Sequence, residues 1–176
     1  MSLIHVGSEH DTSYSPARGS VLLLSCMDLR LLNEIVQFMD HDGLTNRYDH
    51  VILAGAALGA SAGKSDERRH WKKTFFDHVQ IAYDLHHIQD VYILEHRDCG
   101  AYQTFLGKKG EFDDTQLEEE ANCHRKFARA LRKEIATWAD EARVKLRVTS
   151  FLMDLRGLVS LLDPPKTVGR RSRQKR

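Results

Sequence analysis

The chain has 176 residues, with 26 Lys and Arg set against 25 Asp and Glu and 41% hydrophobic residues. That length supports one buried core without covalent staples, and the balanced charge excludes both a disordered chain and a general polyanion binder. Three cysteines cannot make a disulfide framework; beside ten histidines they suit a reducing compartment and a metal site.

Residues 1–19, rich in Ser, Gly, His and Asp, are expected to form an N-terminal arm ahead of one α/β domain over residues 20–163. Residues 20–25 read as a fully buried strand. Leu32, Ile35, Val36 and Met39 follow helical spacing, which predicts a helix over residues 31–42 that stops at Gly43. Residues 50–54 make a second short strand, and residues 55–63 a loop of small side chains. A helix over residues 66–88 puts Trp71, Phe75, Val79 and Ala82 on one face. A strand at 91–95 leads to a short helix at 99–106, ended by Gly107, and then to a polar connection at 108–114. Thr115 with Glu118 fits a capping box. The long helix it starts carries an inner stripe of Leu117, Ala121, Phe127, Leu131, Ile135 and Trp138. Residues 146–155 form a last strand. Pro164-Pro165 opens a basic tail over residues 164–176, in which Lys166, Arg170, Arg171, Arg173, Lys175 and Arg176 are unopposed by acids. Without these six charges the formal +1 becomes about −5, an ordinary solvated surface. The N-terminus has no apolar signal region and no run is long enough to span a bilayer, so the expectation is a cytoplasmic protein with no membrane span.

Strands alternating with helices predict an α/β fold with a mainly parallel central sheet flanked by helices. Ligands in such sheets gather at the carboxyl ends of strands. Two apolar runs deliver soft donors to such ends: Val21-Leu22-Leu23-Leu24-Ser25-Cys26, and Val91-Tyr92-Ile93-Leu94-Glu95-His96-Arg97-Asp98-Cys99. Two thiolates and an imidazole are a zinc donor set that leaves one position of a tetrahedron open. Cys26, His96 and Cys99 are therefore the expected ligands of one Zn2+, provided the first and third strands are neighbours. Asp28 and Arg30 are expected to serve the site as a carboxylate–guanidinium pair.

Cys26-x-Asp28-x-Arg30 followed by His96-x-x-Cys99-Gly100 resembles the signature of β-class carbonic anhydrases. The likeness extends to the small-residue loop Leu53-Ala54-Gly55-Ala56, to the helix–strand run over residues 75–101 and to the late strand at 146–155. It implies a β-carbonic anhydrase-like fold, zinc on Cys26, His96 and Cys99, and an Asp28–Arg30 dyad in which the arginine holds the aspartate off the metal. It also implies a homodimer or higher homo-oligomer with pockets at subunit boundaries. The implied activity is a lyase reaction, reversible hydration of carbon dioxide to bicarbonate by zinc-bound hydroxide. Leu29, Leu53 and Ala56 stand where the family often has Ser or Asn, and no glutamine precedes Gln37 to match its pocket glutamine. A related apolar substrate, such as carbonyl sulfide or carbon disulfide, or a site without turnover, are the alternatives these departures raise.

Other features support different readings. Gly59-Ala60-Ser61-Ala62-Gly63-Lys64-Ser65 nearly makes a phosphate-binding loop, but its first glycine would have to stand at Leu58, so close packing is the simpler account and a P-loop-like nucleotide-binding protein is the alternative of another class. His96-Arg97-Asp98 spells a kinase triplet without the rest of the kinase set. Cys123-His124 suits helix packing better than a second metal, and His86-His87 suits a helix end. The basic tail makes a polyanion-binding module a further alternative, with nucleic acid the less favoured partner.

Overall fold

Runs without polar interruption drive a strand to the middle of a sheet, where helices cover both of its faces. The computed structural model describes residues 17, 19–61 and 67–163. Strands β1 (Val21–Ser25) and β3 (Asp90–His96) are buried at every residue. They pair in parallel, with Ser25 opposite Leu94. β2 (Tyr48–Ile52) pairs with the outer side of β1, and β4 (Arg147–Met153) with the outer side of β3, both in parallel. β5 (Val159–Leu161) runs antiparallel along β4. The order β2-β1-β3-β4-β5 places the reversal of strand order between β1 and β3. Such a switch point opens a crevice at the carboxyl ends of the two strands.

Strand side chains alternate between two cores. Leu23, Tyr92, Leu94, Phe151 and Met153 pack on Ile35, Phe38 and Met39 of α1 (Leu32–His41). Leu22, Leu24, Val91, Ile93 and Leu152 lie on the other face. There they meet α2 (Ala57–Ala60), Phe75 and Val79 of α3 (Arg69–His86), and Leu131 and Ile135 of α5 (Leu117–Ala142). α4 (Gly100–Leu106) leaves the carboxyl end of β3 and stops at Gly107, whose φ of +58° suits a residue without Cβ.

Five expectations are corrected. The second strand begins at Tyr48 and ends at Ile52, because positive φ at Gly55 and Ala56 turns the chain soon afterwards. The expected loop instead contains the short α2. There a Cβ on Gly59 would lie 2.6 Å from the Ala54 carbonyl oxygen, so that glycine serves close packing. No capping box forms. The Thr115 hydroxyl and backbone amide both bond to Asp113 Oδ1, and α5 starts two residues later without a side-chain cap. Its first turn carries Glu118, Glu119 and Glu120, which complement the helix dipole.

The buried stripe of α5 also differs: Glu120 and His124 belong to it, Leu117 is exposed, and Phe127 and Trp138 are only partly buried. Finally, β4 ends at Met153. The Asp154 side chain accepts the Arg156 and Leu158 amides in a tight turn, and the chain returns as the unforeseen β5. Most of the N-terminal arm, the basic tail and residues 62–65 of the phosphate-loop-like stretch lie outside the described residues.

Candidate metal centre

β1 and β3 are adjacent and in register, so the residues just past their ends meet. Cys26 follows β1, His96 ends β3, and Cys99 precedes the first turn of α4. The ligand atoms of these three residues all lie within 4.8 Å of one another, and all three residues are buried. The two sulfurs are 3.8 Å apart and unbridged. A tetrahedral centre with Zn–S bonds of about 2.3 Å sets two sulfurs about 3.8 Å apart, so the donors fit that ion.

The imidazole is fixed for the same task. His96 Nδ1–H donates to the Arg97 carbonyl oxygen at 2.8 Å, which leaves Nε2 with its lone pair free. That nitrogen is buried and has no hydrogen-bond partner among the described residues. Its nearest carboxylate oxygen, Asp28 Oδ2, is 3.8 Å away and too distant to bond. A buried acceptor left unpaired is costly, and a cation shared with the sulfurs would satisfy it.

The sulfurs are electrostatically coupled. Hydrogen bonding from Cys99 draws the Cys26 thiol down; burial opposes this, while His96 and the Gly55 amide, 3.3 Å from Sγ, support it. Cys99 moves up, through Cys26 first and burial second. A cation shared by the two sulfurs would favour loss of the proton from both.

Beside the cluster, Asp28 accepts Arg30 Nε and the Arg30 amide on Oδ1, at 2.9 and 3.0 Å, and Arg30 Nη2 on Oδ2 at 2.7 Å. These bonds hold its carboxyl at about 2, with burial opposing. Arg30 also reaches Asp98 in the turn between His96 and Cys99. Leu31, Ile35, Leu94 and Met153 line a small recess against Cys26 and His96. Two larger concavities lie at the opposite end of the sheet, one near the amino ends of β3 and β4 and one near those of β1 and β2.

Residues 18–149 match the family model described as "Putative carbonic anhydrase". The chain belongs to this carbonic anhydrase family. Uncharacterized proteins of Rickettsia bellii and Rickettsia conorii are each 35% identical to it over 156 residues. They cover 89% of this chain and 88% and 77% of their own lengths. Among solved structures, the β-carbonic anhydrase CafA of Aspergillus fumigatus aligns with TM-score 0.55 at 15% identity, over 85% of this chain and 78% of its own. A structure from work on two tetrameric β-carbonic anhydrases of Sordaria macrospora aligns with TM-score 0.52 at 13% identity, over 82% and 80%. At these identities the likeness is one of fold, and it bears out the expected α/β class.

Two buried carboxylates of this carbonic anhydrase-family chain escaped the motif reading. Glu95 is 1% exposed and accepts the Ala57 amide on Oε1 at 2.9 Å. Its Oε2 accepts the Tyr102 hydroxyl and His124 Nδ1 at 3.0 and 2.8 Å. Glu120 accepts the Asp98 amide at 2.6 Å and Arg97 at 2.7 Å, gripping the turn between two of the candidate ligands. The signal for Glu95 was present: a charge inside a strand buried on both faces must have partners. The His124 ring packs on Tyr102, with ring centroids 4.0 Å apart and the planes tilted by 48°.

Proposed function

We propose that this chain is a zinc-dependent lyase that interconverts carbon dioxide and bicarbonate, with Cys26, His96 and Cys99 as metal ligands and Asp28 and Arg30 as site residues. The supporting observation is the ligand cluster within 4.8 Å combined with an adjacent carboxylate fully engaged by Arg30. A metal held by those three residues would keep a fourth position for water. Zinc held there would supply Lewis acidity that brings a water pKa to about 7, a magnitude known from the unrelated three-histidine carbonic anhydrases.

The chain's own residues do the rest. His96, tied through Nδ1 to Arg97, presents Nε2 in one tautomer. Arg30 keeps Asp28 ionised and turned aside, so that Asp28 is an acceptor for a water proton near the ligands. Leu31, Ile35, Leu94 and Met153 supply an apolar lining that suits carbon dioxide.

The exposed Met27, Leu29, Leu32 and Val36 beside the site support a homodimer or higher homo-oligomer, in keeping with the tetrameric Sordaria macrospora proteins. Three free cysteines support a cytoplasmic setting, and no helix among the described residues is long and apolar enough to cross a membrane.

Stopped-flow measurement of carbon dioxide hydration across pH, on zinc-loaded protein, tests the reading. The expected result is hydration in the native chain and none above background in Cys26→Ala. Equal rates in the two proteins would reject the activity.

A further inference from the structure

Arg30 is 41% exposed at its side chain, and a single solvent-facing ion pair does little to order so long a residue. Yet the guanidinium is held on two sides. Nε and Nη2 donate to Asp28, while Nη1 donates to Asp98 Oδ2 at 2.8 Å and Nη2 also donates to the Asp98 carbonyl at 3.0 Å. Asp98 lies in the two-residue turn between His96 and Cys99, with a left-handed φ of +53°. Its own amide is fixed at 2.6 Å by Glu120, which is 5% exposed on α5. A line of hydrogen bonds therefore runs from α5 through Asp98 and Arg30 to Asp28. Asp28 Oδ2 at its far end is 3.8 Å from His96 Nε2.

We propose that Asp98 is a positioning residue: it anchors Arg30 from the His-x-x-Cys turn, and so keeps the Asp28 carboxylate away from the fourth metal position. Two anchors define where the guanidinium sits; one lets it follow Asp28. With the Asp98 carboxylate gone, only the main-chain carbonyl of that turn still holds Arg30, which weakens its resistance to an inward swing of Asp28, a strong oxygen donor for a divalent cation. The anchor also links the segment after β1 to the turn after β3, so the device belongs to the same turn that supplies two of the ligands. This inference rests on the metal reading above.

Cobalt(II), whose visible spectrum reports its ligands, is the probe, and azide is the competitor for an open position. The native chain is expected to bind cobalt and to show an azide-dependent spectral change. Asp98→Gly keeps the left-handed backbone conformation accessible. It is expected to retain cobalt but to weaken the azide response by about 10-fold or more, the scale of losses around metal ligands. Asp28→Asn added to Asp98→Gly is expected to restore the response, which a general loosening of the site would not do. Asp98→Asn, which tolerates the same φ, is expected to show a smaller loss in the same direction and carries the test if the glycine variant does not fold.

A native response to azide in both Asp98 variants, or failure of Asp28→Asn to restore it, overturns the positioning role while leaving the metal site standing. Failure of the native chain to bind cobalt overturns both.

Discussion

Glu95 accepts hydrogen bonds from donors on α2, α4 and α5 while standing one residue before a candidate metal ligand. A buried carboxylate is costly to desolvate, and it persists here because both oxygens are matched. Removing it strands the Ala57 amide, the Tyr102 hydroxyl and buried His124 together. Glu95→Ala is therefore expected to lose about 3 kcal/mol of unfolding free energy in urea, the scale of breaking one partner of a buried pair; a loss below about 1 kcal/mol would mean that these donors find other partners. The sequence made the soft donors legible because cysteine and histidine rarely finish buried strands together. Glu95 and Glu120 were harder to read, since glutamate ordinarily marks a solvated face and only the burial of its strand or helix stripe says otherwise.

At the scale of elements, periodicity located α1, α3, β1 and β3 closely, because their apolar residues face one core or two without interruption. It failed where local hydrogen bonds competed. Asp113 captured Thr115, so no cap formed, and Gly55 and Ala56 turned a small-residue segment into a short helix. β5 is only three residues long and was invisible beside the turn that makes it.

β3 itself yields a pH prediction. The Tyr92 hydroxyl donates to Asp42 at 3.1 Å, and burial first, then the Asp42 charge, push its pKa above the usual tyrosine value. A raised folded value means that this contribution is complete below the unfolded pKa of about 10 and is lost as pH climbs beyond it. Tyr92→Phe is expected to cost about 1 kcal/mol at pH 7 for the hydrogen bond. Urea unfolding at alkaline pH should show that deficit shrinking. A deficit that stays constant through the alkaline range would show that Tyr92 ionises alike in both states.

For the whole molecule, the strand order does the joining. Cys26 and the His96–Cys99 pair are distant in sequence, and only the adjacency of β1 and β3 at the switch point brings them together. That adjacency could be argued from the sequence only by assuming that the donors share one ion, because hydrophobic pattern alone does not order parallel strands. The antiparallel edge, the burial of Glu95 and Glu120, and the second anchor of Arg30 all depend on tertiary neighbours. The most direct measurement is the metal content of the chain after stripping, reloading with equimolar zinc and dialysis. One zinc per chain in the native protein, with none retained by Cys26→Ala or Cys99→Ala, is the predicted result. A native chain that retains no zinc, or variants that retain a full equivalent, would contradict the account.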